Sequence, residues 1–180
     1  RWYRQMVGIS SIGDTTVVTD KWMLGTSNSF FVGIVATLLA TALGTVAALG
    51  LSRPHMPFKA VLMAILISPM IVPLIITAAG MFFFYSKIGL THSYLGLILA
   101  HTALGTPFVV ITVTATLTGF DTNLIRASQS LGADTIRTFF KVIMPLILPG
   151  VICGGLFAFI TSFDEVVVVM FIGSVEQITI

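Results

Sequence analysis

Two adjacent acidic residues, Asp164 and Glu165, carry the chemistry that stands out most in this 180-residue chain. They are the only carboxylates inside or bordering an apolar stretch, since the other acidic residues lie in polar segments. Ionised side chains at membrane depth are costly and usually face a pore or a partner. A pair of anions in such a place suits a small solute that carries several positive charges.

The same two residues also have a purely structural interpretation. They could mark a helix end in water or pair with a neighbouring helix. On one helix they would point about 100° apart, so we expect one to line a pore and the other to pair with a neighbouring helix or face water. A helix from Met144 to Asp164 would be about 30 Å long, which places the pair toward the outer side of a membrane.

A polar stretch at residues 118–141 has a spacing suited to docking a second protein. Residues 123–130 predict a short helix ending at Gly132, which tolerates a left-handed backbone. Asp134 can cap a second helix, and Pro145 falls near the start of the next long helix, where a missing N–H costs little. The product is a rigid helix-turn-helix. The alternative is an amphipathic interfacial loop without a partner.

The order of residues in this stretch resembles the EAA loop of the permeases of ATP-binding-cassette (ABC) importers. That family's pattern is Glu-Ala-Ala, three residues, Gly, nine residues, then Ile-x-Leu-Pro, and the spacing matches throughout. Ser128 and Met144 are mild substitutions, but Arg126, where the family usually has Glu, is a real departure. The resemblance implies an ATPase-coupling loop that includes Arg126, Ala127, Ser128, Gly132, Ala133, Val142 and Pro145.

The resemblance extends over most of the chain. Residues 43–53 are similar to the end of the family's second spanning helix, and residues 68–73 to its third. The implied fold class is all-α, a polytopic transmembrane helix bundle of the ABC importer permease (MetI-like) type, here a fragment that lacks one spanning helix at each end. Residues 162–168 resemble the corresponding run in spermidine/putrescine permeases, which implies a polyamine as the solute.

The expected partners follow from the same resemblance. Separate ATP-binding subunits would hold ATP and Mg and push on the loop, a second permease subunit would complete the pore, and a periplasmic or lipid-anchored binding protein would deliver the solute. The chain has no Gly-x-x-x-x-Gly-Lys-Ser/Thr phosphate loop and only one cysteine. We therefore expect no cofactor, no metal and no catalysis in this chain, and a multi-pass location in the bacterial plasma (inner) membrane.

The composition independently predicts a membrane protein. Hydrophobic residues make up 56% of the chain and charged residues 9%, with a mean hydropathy of +1.05, whereas soluble domains carry roughly 25% charged residues. Four apolar stretches have the length of about 20 residues that spans a hydrocarbon core. The predicted spans are 29–51, 58–85, 94–117 and 144–172. The net charge of +2 gives no reason to expect a nucleic-acid partner.

Lysines and arginines near the predicted helix ends indicate the orientation of the chain. Five of the nine lie in the joint at 53–59 and the loop at 118–141, so we expect both in the cytoplasm. The N-terminal segment, with Arg1, Arg4 and Lys21, weakens this contrast.

Three features inside the predicted spans point to helix geometry rather than to chemistry. Pro69 and Pro73 predict a kink in the second span. The pair Gly154-Gly155 predicts close packing or a bend. His101 is intramembrane, and helix packing is its expected role.

Other functions remain open at this stage. Within the same family the substrate could be ferric iron or an organophosphonate. From a different class, the chain could be a secondary transporter or channel, but such a protein needs no ATPase-docking motif. A membrane enzyme would need a Ser/His/Asp, Cys/His or metal constellation, and the sequence offers none.

Overall fold

The computed structural model describes residues 15–53, 56–121 and 123–173, and these fold into helices. The expectations for Arg1 and Arg4, and for helices beyond either end, lie outside the described residues. The helices, in chain order, are α1 (Thr15–Leu51), α2 (Lys59–Ile71), α3 (Leu74–Ile88), α4 (Tyr94–Thr118), α5 (Asn123–Ser130), α6 (Thr135–Thr138), a π-helical segment (Phe139–Ile143), α7 (Met144–Asp164) and α8 (Val167–Ile172).

Three long helices, α1, α4 and α7, form the central bundle. Helices α1 and α4 run in the same direction. Tyr94 Oη, at the start of α4, donates to Asn28 Oδ1 of α1 at 3.0 Å, and Gly44 meets Val109 farther along both helices. Helix α7 runs the opposite way, because Ser162 near its end lies beside His101 near the start of α4. The bundle therefore has two distinct ends.

The polar joints meet at one of these ends, which we call the loop end. Leu51 ends α1 and Thr118 ends α4 there, and Met144 begins α7. The other end, here the far end, holds Ser93, which caps α4, and Asp164, the last residue of α7. The joint at 53–59 and the loop at 118–141 thus lie at the same end of the bundle, as the clustering of Lys and Arg predicts.

Small residues let the three helices approach closely, as the sequence predicts for Gly154-Gly155. A Cβ added at Gly154 would lie 2.8 Å from Val109 Cα, and one added at Gly155 would lie 3.1 Å from Thr41 Oγ1. Gly44 is as tight, with Val109 Cβ at 2.7 Å. Membrane helices associate largely through such backbone approach, so the pair serves close packing rather than a bend.

The predicted second span is not one helix. Helices α2 and α3 are bent by 104° at Val72 and Pro73. A proline disfavours helical backbone in the residue before it, and Val72 is extended, with φ −73° and ψ 137°. Pro69, by contrast, lies inside α2 without ending it. The predicted kink is therefore a break, and with 13 residues α2 alone is about 20 Å long.

The predicted fourth span also consists of two helices. Helix α7 ends at Asp164, and Glu165 is extended with φ −87° and ψ 96°. Helix α8 then starts in a new direction and packs against α3, so the expectation of one span continuing to residue 172 is wrong. The first span, conversely, is longer than predicted, since α1 is helical from Thr15 rather than from residue 29.

Within the described residues, three helical runs are long and apolar enough to cross a membrane: Met23–Leu51, Tyr94–Thr118 and Thr135–Asp164. The number rises to four if the bent pair α2 and α3 counts as one span. His101 is 2% exposed inside this bundle, and its Nδ1 lies 2.8 Å from Ser162 Oγ, so it joins α4 to α7. The expected packing role of His101 is confirmed.

Candidate functional site

The loop at 118–141 forms the predicted helix-turn-helix. Helix α5 spans the predicted residues 123–130 and is followed by Gly132 at φ +81°, in the left-handed region. The turn is closed by two backbone bonds, from Gly132 N–H to Gln129 O at 2.9 Å and from Ala133 N–H to Ser128 O at 3.1 Å. Bonds of this kind satisfy the last carbonyls of a helix. The predicted role of Gly132 in the turn is confirmed.

The second arm of the loop starts at Asp134, as predicted. Its carboxylate accepts a hydrogen bond from Arg137 N–H at 2.8 Å and so caps α6. A contact that the sequence did not indicate joins the arms: Ser128 Oγ lies 2.9 Å from the hydroxyl of Thr138, which is buried. The family pattern has Ala at the position of Ser128, so a hydrophilic substitution there was the available signal. The loop is therefore a rigid unit rather than two independent helices.

Pro145 lies in the first turn of α7, as predicted. The start of α7 is not separated from the loop, however, because α6, the π-helical segment and α7 are continuous from Thr135 to Asp164. Met144 N–H donates to Phe139 O, five residues back. Prolines and π turns are both recognised places where the regular helical ladder is interrupted. The π turn just before Pro145, rather than a chain break, thus accommodates the proline, and Val142 lies within that turn.

The outer surface of the loop combines a basic group with exposed apolar side chains. Arg126 and Ala127 are exposed on α5, and Ala133 is half-buried in the turn. Four large apolar side chains of the loop are exposed: Leu131 at 88%, Ile136 at 69%, Phe140 at 62% and Leu124 at 44%. Exposed apolar patches of this kind, rimmed by polar groups, mark interaction surfaces.

The two carboxylates at the far end have different environments. Glu165 is 7% exposed, and its Oε1 accepts a hydrogen bond from Val168 N–H at 3.0 Å. It therefore satisfies the first turn of α8, where a negative charge is favourable. Asp164 is exposed, and no described residue forms an ion pair or hydrogen bond with its carboxylate. The two do not lie on one helix, so the expected angle of about 100° between them does not apply.

This arrangement leaves Asp164 as the carboxylate available to a solute. The sequence held one signal for this difference, because Glu is favourable at the start of a helix. Using that signal would have required knowing that α7 ends at Asp164 and that a new helix follows. Beside Asp164 the surface is apolar: the ring of Phe163 lies 5.3 Å from that of Phe30 and 5.8 Å from that of Phe159. A charge flanked by apolar groups acts in a lower effective dielectric than one in open water.

Metal binding has no support in the residues described. Within 15–53, 56–121 and 123–173, no three His, Cys, Asp or Glu side chains lie close enough together to hold a metal ion. Cys153 is exposed on α7 with a free thiol.

Comparison with known families gives a match over most of the chain. Residues 40–179 match the family described as binding-protein-dependent transport system inner membrane component. This match includes the whole helix-turn-helix, both carboxylates and helices α2 to α8.

Individual relatives are permease proteins of several systems. The chain is 32% identical over 157 residues to the spermidine/putrescine transport system permease protein PotC of Haemophilus influenzae, covering 87% of this chain and 61% of that protein. It is 29% identical over 153 residues to PotC of Escherichia coli K12, covering 85% and 58%. It is also 29% identical over 138 residues to the sulfoquinovosyl glycerol transport system permease protein SmoH of Agrobacterium fabrum, covering 77% and 48%. The chain spans about three fifths or less of these relatives' length.

A solved structure shares the fold. It is the crystal structure of a bacterial ABC transporter involved in the import of the acidic polysaccharide alginate. The match has a TM-score of 0.71 and 17% identity, and it covers 88% of this chain and 55% of that one. The all-α permease bundle expected from the sequence is therefore confirmed.

Proposed function

The chain belongs to the family of binding-protein-dependent transport system inner membrane components, and on that premise we propose that it is a permease subunit of an ATP-driven importer for a polyamine such as spermidine or putrescine. In this proposal it forms half of a translocation pathway, together with a second permease subunit. A solute-binding protein delivers the polyamine to the far end. ATP and Mg are bound by separate subunits that dock at the loop end, in the cytoplasm.

The observation that carries the permease role is the geometry of the loop. Its two arms are fixed by the Gly132 turn, the Asp134 cap and the Ser128–Thr138 contact. A fixed shape lowers the entropy cost of docking, because fewer side chains and backbone angles must be ordered on contact. The exposed apolar side chains beside Arg126 give an ATPase subunit a surface to bury. A secondary transporter would have no use for such a surface.

The polyamine assignment is supported by Asp164 and by the similarity to PotC. A carboxylate that is exposed and forms no ion pair with any described residue attracts alkylammonium groups, and apolar surroundings strengthen that attraction. The relatives also include SmoH and a probable molybdenum permease of Haloferax volcanii. A sulfonated glycoside and a molybdenum oxyanion are both anions, and the negative charge of Asp164 would repel either of them. Asp164 therefore favours the cationic solute.

Uptake by the complete complex tests this proposal. The permease with its partner subunits is reconstituted into liposomes, and uptake of labelled spermidine or putrescine is measured per complex recovered. Asp164→Asn should reduce uptake about tenfold, the change that corresponds to about 1.4 kcal/mol at the rate-limiting contact. Glu165→Gln is the matched control, because glutamine keeps an oxygen that can accept from Val168 N–H. It should leave uptake close to the parent value.

The possible results separate the two parts of the proposal. Normal polyamine uptake by Asp164→Asn would exclude a role for this carboxylate. ATPase stimulation by a sulfonated glycoside or by molybdate, with none by polyamines, would overturn the polyamine assignment and leave the permease role intact. Failure of the chain to retain any ATPase subunit would overturn the permease role itself.

A further inference from the structure

A cavity of about 370 Å³ lies between the loop and the bundle at the loop end. One wall belongs to α1 and α4 and their ends, and the other to α5, α6 and the π-helical segment. Most of its lining is apolar, and the apolar side chains are Leu49, Leu117, Phe120, Ile125, Phe139 and Ile143. Any occupant therefore contacts the bundle and the loop at the same time.

Two of the three hydroxyl groups that line this cavity already have partners. Ser52 Oγ donates to Ala48 O at 2.7 Å, and Thr138 Oγ1 is paired with Ser128 Oγ at 2.9 Å. The remaining neutral polar side chains in the lining, Gln129 and Thr135, are exposed and lie on the loop wall. Water held in such a cavity would gain few hydrogen bonds, since a buried water typically makes about three. The walls suit a hydrocarbon chain better than they suit solvent.

One charged group lines the cavity, and it is basic. Arg53 is exposed, and its guanidinium has no ion-pair or hydrogen-bond partner in the part of the chain that the structure describes. No acidic side chain lines the cavity among those residues. Arg53 lies two residues after Leu51, where the apolar run Met23–Leu51 ends, and so at the level expected for lipid headgroups. Basic pockets between helices at this level suit anionic lipid headgroups.

We propose that this cavity binds one acyl chain of an anionic phospholipid whose phosphate group contacts Arg53. A free phosphate ion would use the arginine but not the apolar walls, and a neutral lipid would use the walls but not the arginine. A bound lipid would fill the space between the bundle and the loop and hold the loop at a defined distance. The lipid site rests on the cavity and Arg53, not on the identity of the transported solute.

Quenching by brominated lipids tests the site directly. The complete complex carrying Leu117→Trp is placed in nanodiscs of phosphatidylcholine with a minor fraction of lipid brominated on its acyl chains. The fluorescence change is taken relative to the complex without the added tryptophan. Brominated phosphatidylglycerol should quench with an apparent affinity about fivefold above that of brominated phosphatidylcholine, the preference expected from one basic group. Arg53→Gln should remove this preference.

Lys59→Gln is the matched control, because Lys59 is exposed nearby but does not line the cavity. It should keep the preference for phosphatidylglycerol. Ile125→Trp, on the loop wall, supplies a second probe should Leu117→Trp assemble poorly.

Three results would overturn the proposal. Equal quenching by the two lipids in the complex with Arg53 intact would show that Arg53 does not select an anionic headgroup. No quenching by either lipid at both probes would mean that a protein segment fills the cavity. A response of the probe to inorganic phosphate alone, without brominated lipid, would mean a free-anion site.

Discussion

Replacement of Gly132 tests whether the shape of the loop is needed for docking. Its φ of +81° lies in the region that L-residues avoid, and apart from the two residues adjacent in the chain no described residue has an atom within 4 Å of a Cβ built there. A substituted side chain would therefore meet open space, and only the backbone conformation would resist it. The series Gly132→Asn, Gly132→Ala and Gly132→Val grades that resistance, because Asn tolerates left-handed backbone and β-branched residues do so least.

The expected size of the loss in docking follows from the backbone conformation of residue 132 alone. A non-glycine residue in left-handed conformation costs roughly 1–2 kcal/mol, which lowers the population of a conformation about 5- to 30-fold. Gly132→Ala should lie in this range, Gly132→Asn below it and Gly132→Val at or above its upper end. The loss should appear in docking, because Gly132 is exposed and contributes nothing to the packing of the bundle.

Two quantities are measured for each Gly132 variant. One is the amount of ATPase subunit retained when the permease is purified from the membrane, and the other is solute uptake per complex. Gly119→Val is the control: Gly119 also ends a helix beside the loop, but its φ is −85°, and its nearest contact to an added Cβ is Thr116 O at 3.8 Å. A Gly132→Val complex that assembles and transports normally would refute the coupling role. Equal losses for Gly119→Val and Gly132→Val would refute the conformational reasoning.

Three further predictions concern topology, packing and docking. Single cysteines at Ser52 and at Ser130, in a cysteine-free background, should resist impermeant thiol reagents added outside intact cells, and external labelling of either would contradict a cytoplasmic loop end. Gly154→Val should lower the stability of the bundle by about 1–3 kcal/mol through overpacking, and so shorten the half-life of the complex on heating. Gly80→Val should change the half-life little, because a Cβ there meets no described residue beyond its chain neighbours within 4 Å. Similar half-lives for the two variants would count against the tight interface. Arg126→Glu should weaken retention of the cognate ATPase subunit, because the partner's charge is expected to suit arginine; unchanged retention would mean that this side chain does not reach the partner.

The loop was the most predictable part of the molecule. Its helices, the left-handed Gly132 and the Asp134 cap depend on neighbours within a few residues, and such local preferences are written in the sequence. The Ser128–Thr138 contact was missed because it joins residues ten apart whose approach depends on the turn between them.

Breaks inside apolar stretches were the least predictable part. The apolar run at 58–85 has the length of one span, and Pro73 is compatible with a mild kink or a full break. The bend of 104° depends on how α3 packs against α8, and that contact joins distant parts of the chain. The same holds for Asp164 and Glu165: two adjacent carboxylates look alike in sequence, but the end of α7 between them exposes one and buries the other.

The unbroken helical path from Thr135 to Asp164 has a mechanical consequence. Its 30 residues form a rod about 45 Å long. A tilt of about 10° pivoting at the loop would carry the Asp164 end sideways by about 8 Å, by the geometry of a rod of that length. If a docked subunit tilts the loop, as in the proposed function, the sideways displacement is largest at the far end. The π turn at Phe139–Ile143, where the regular helical ladder is interrupted, is where this rod would bend first.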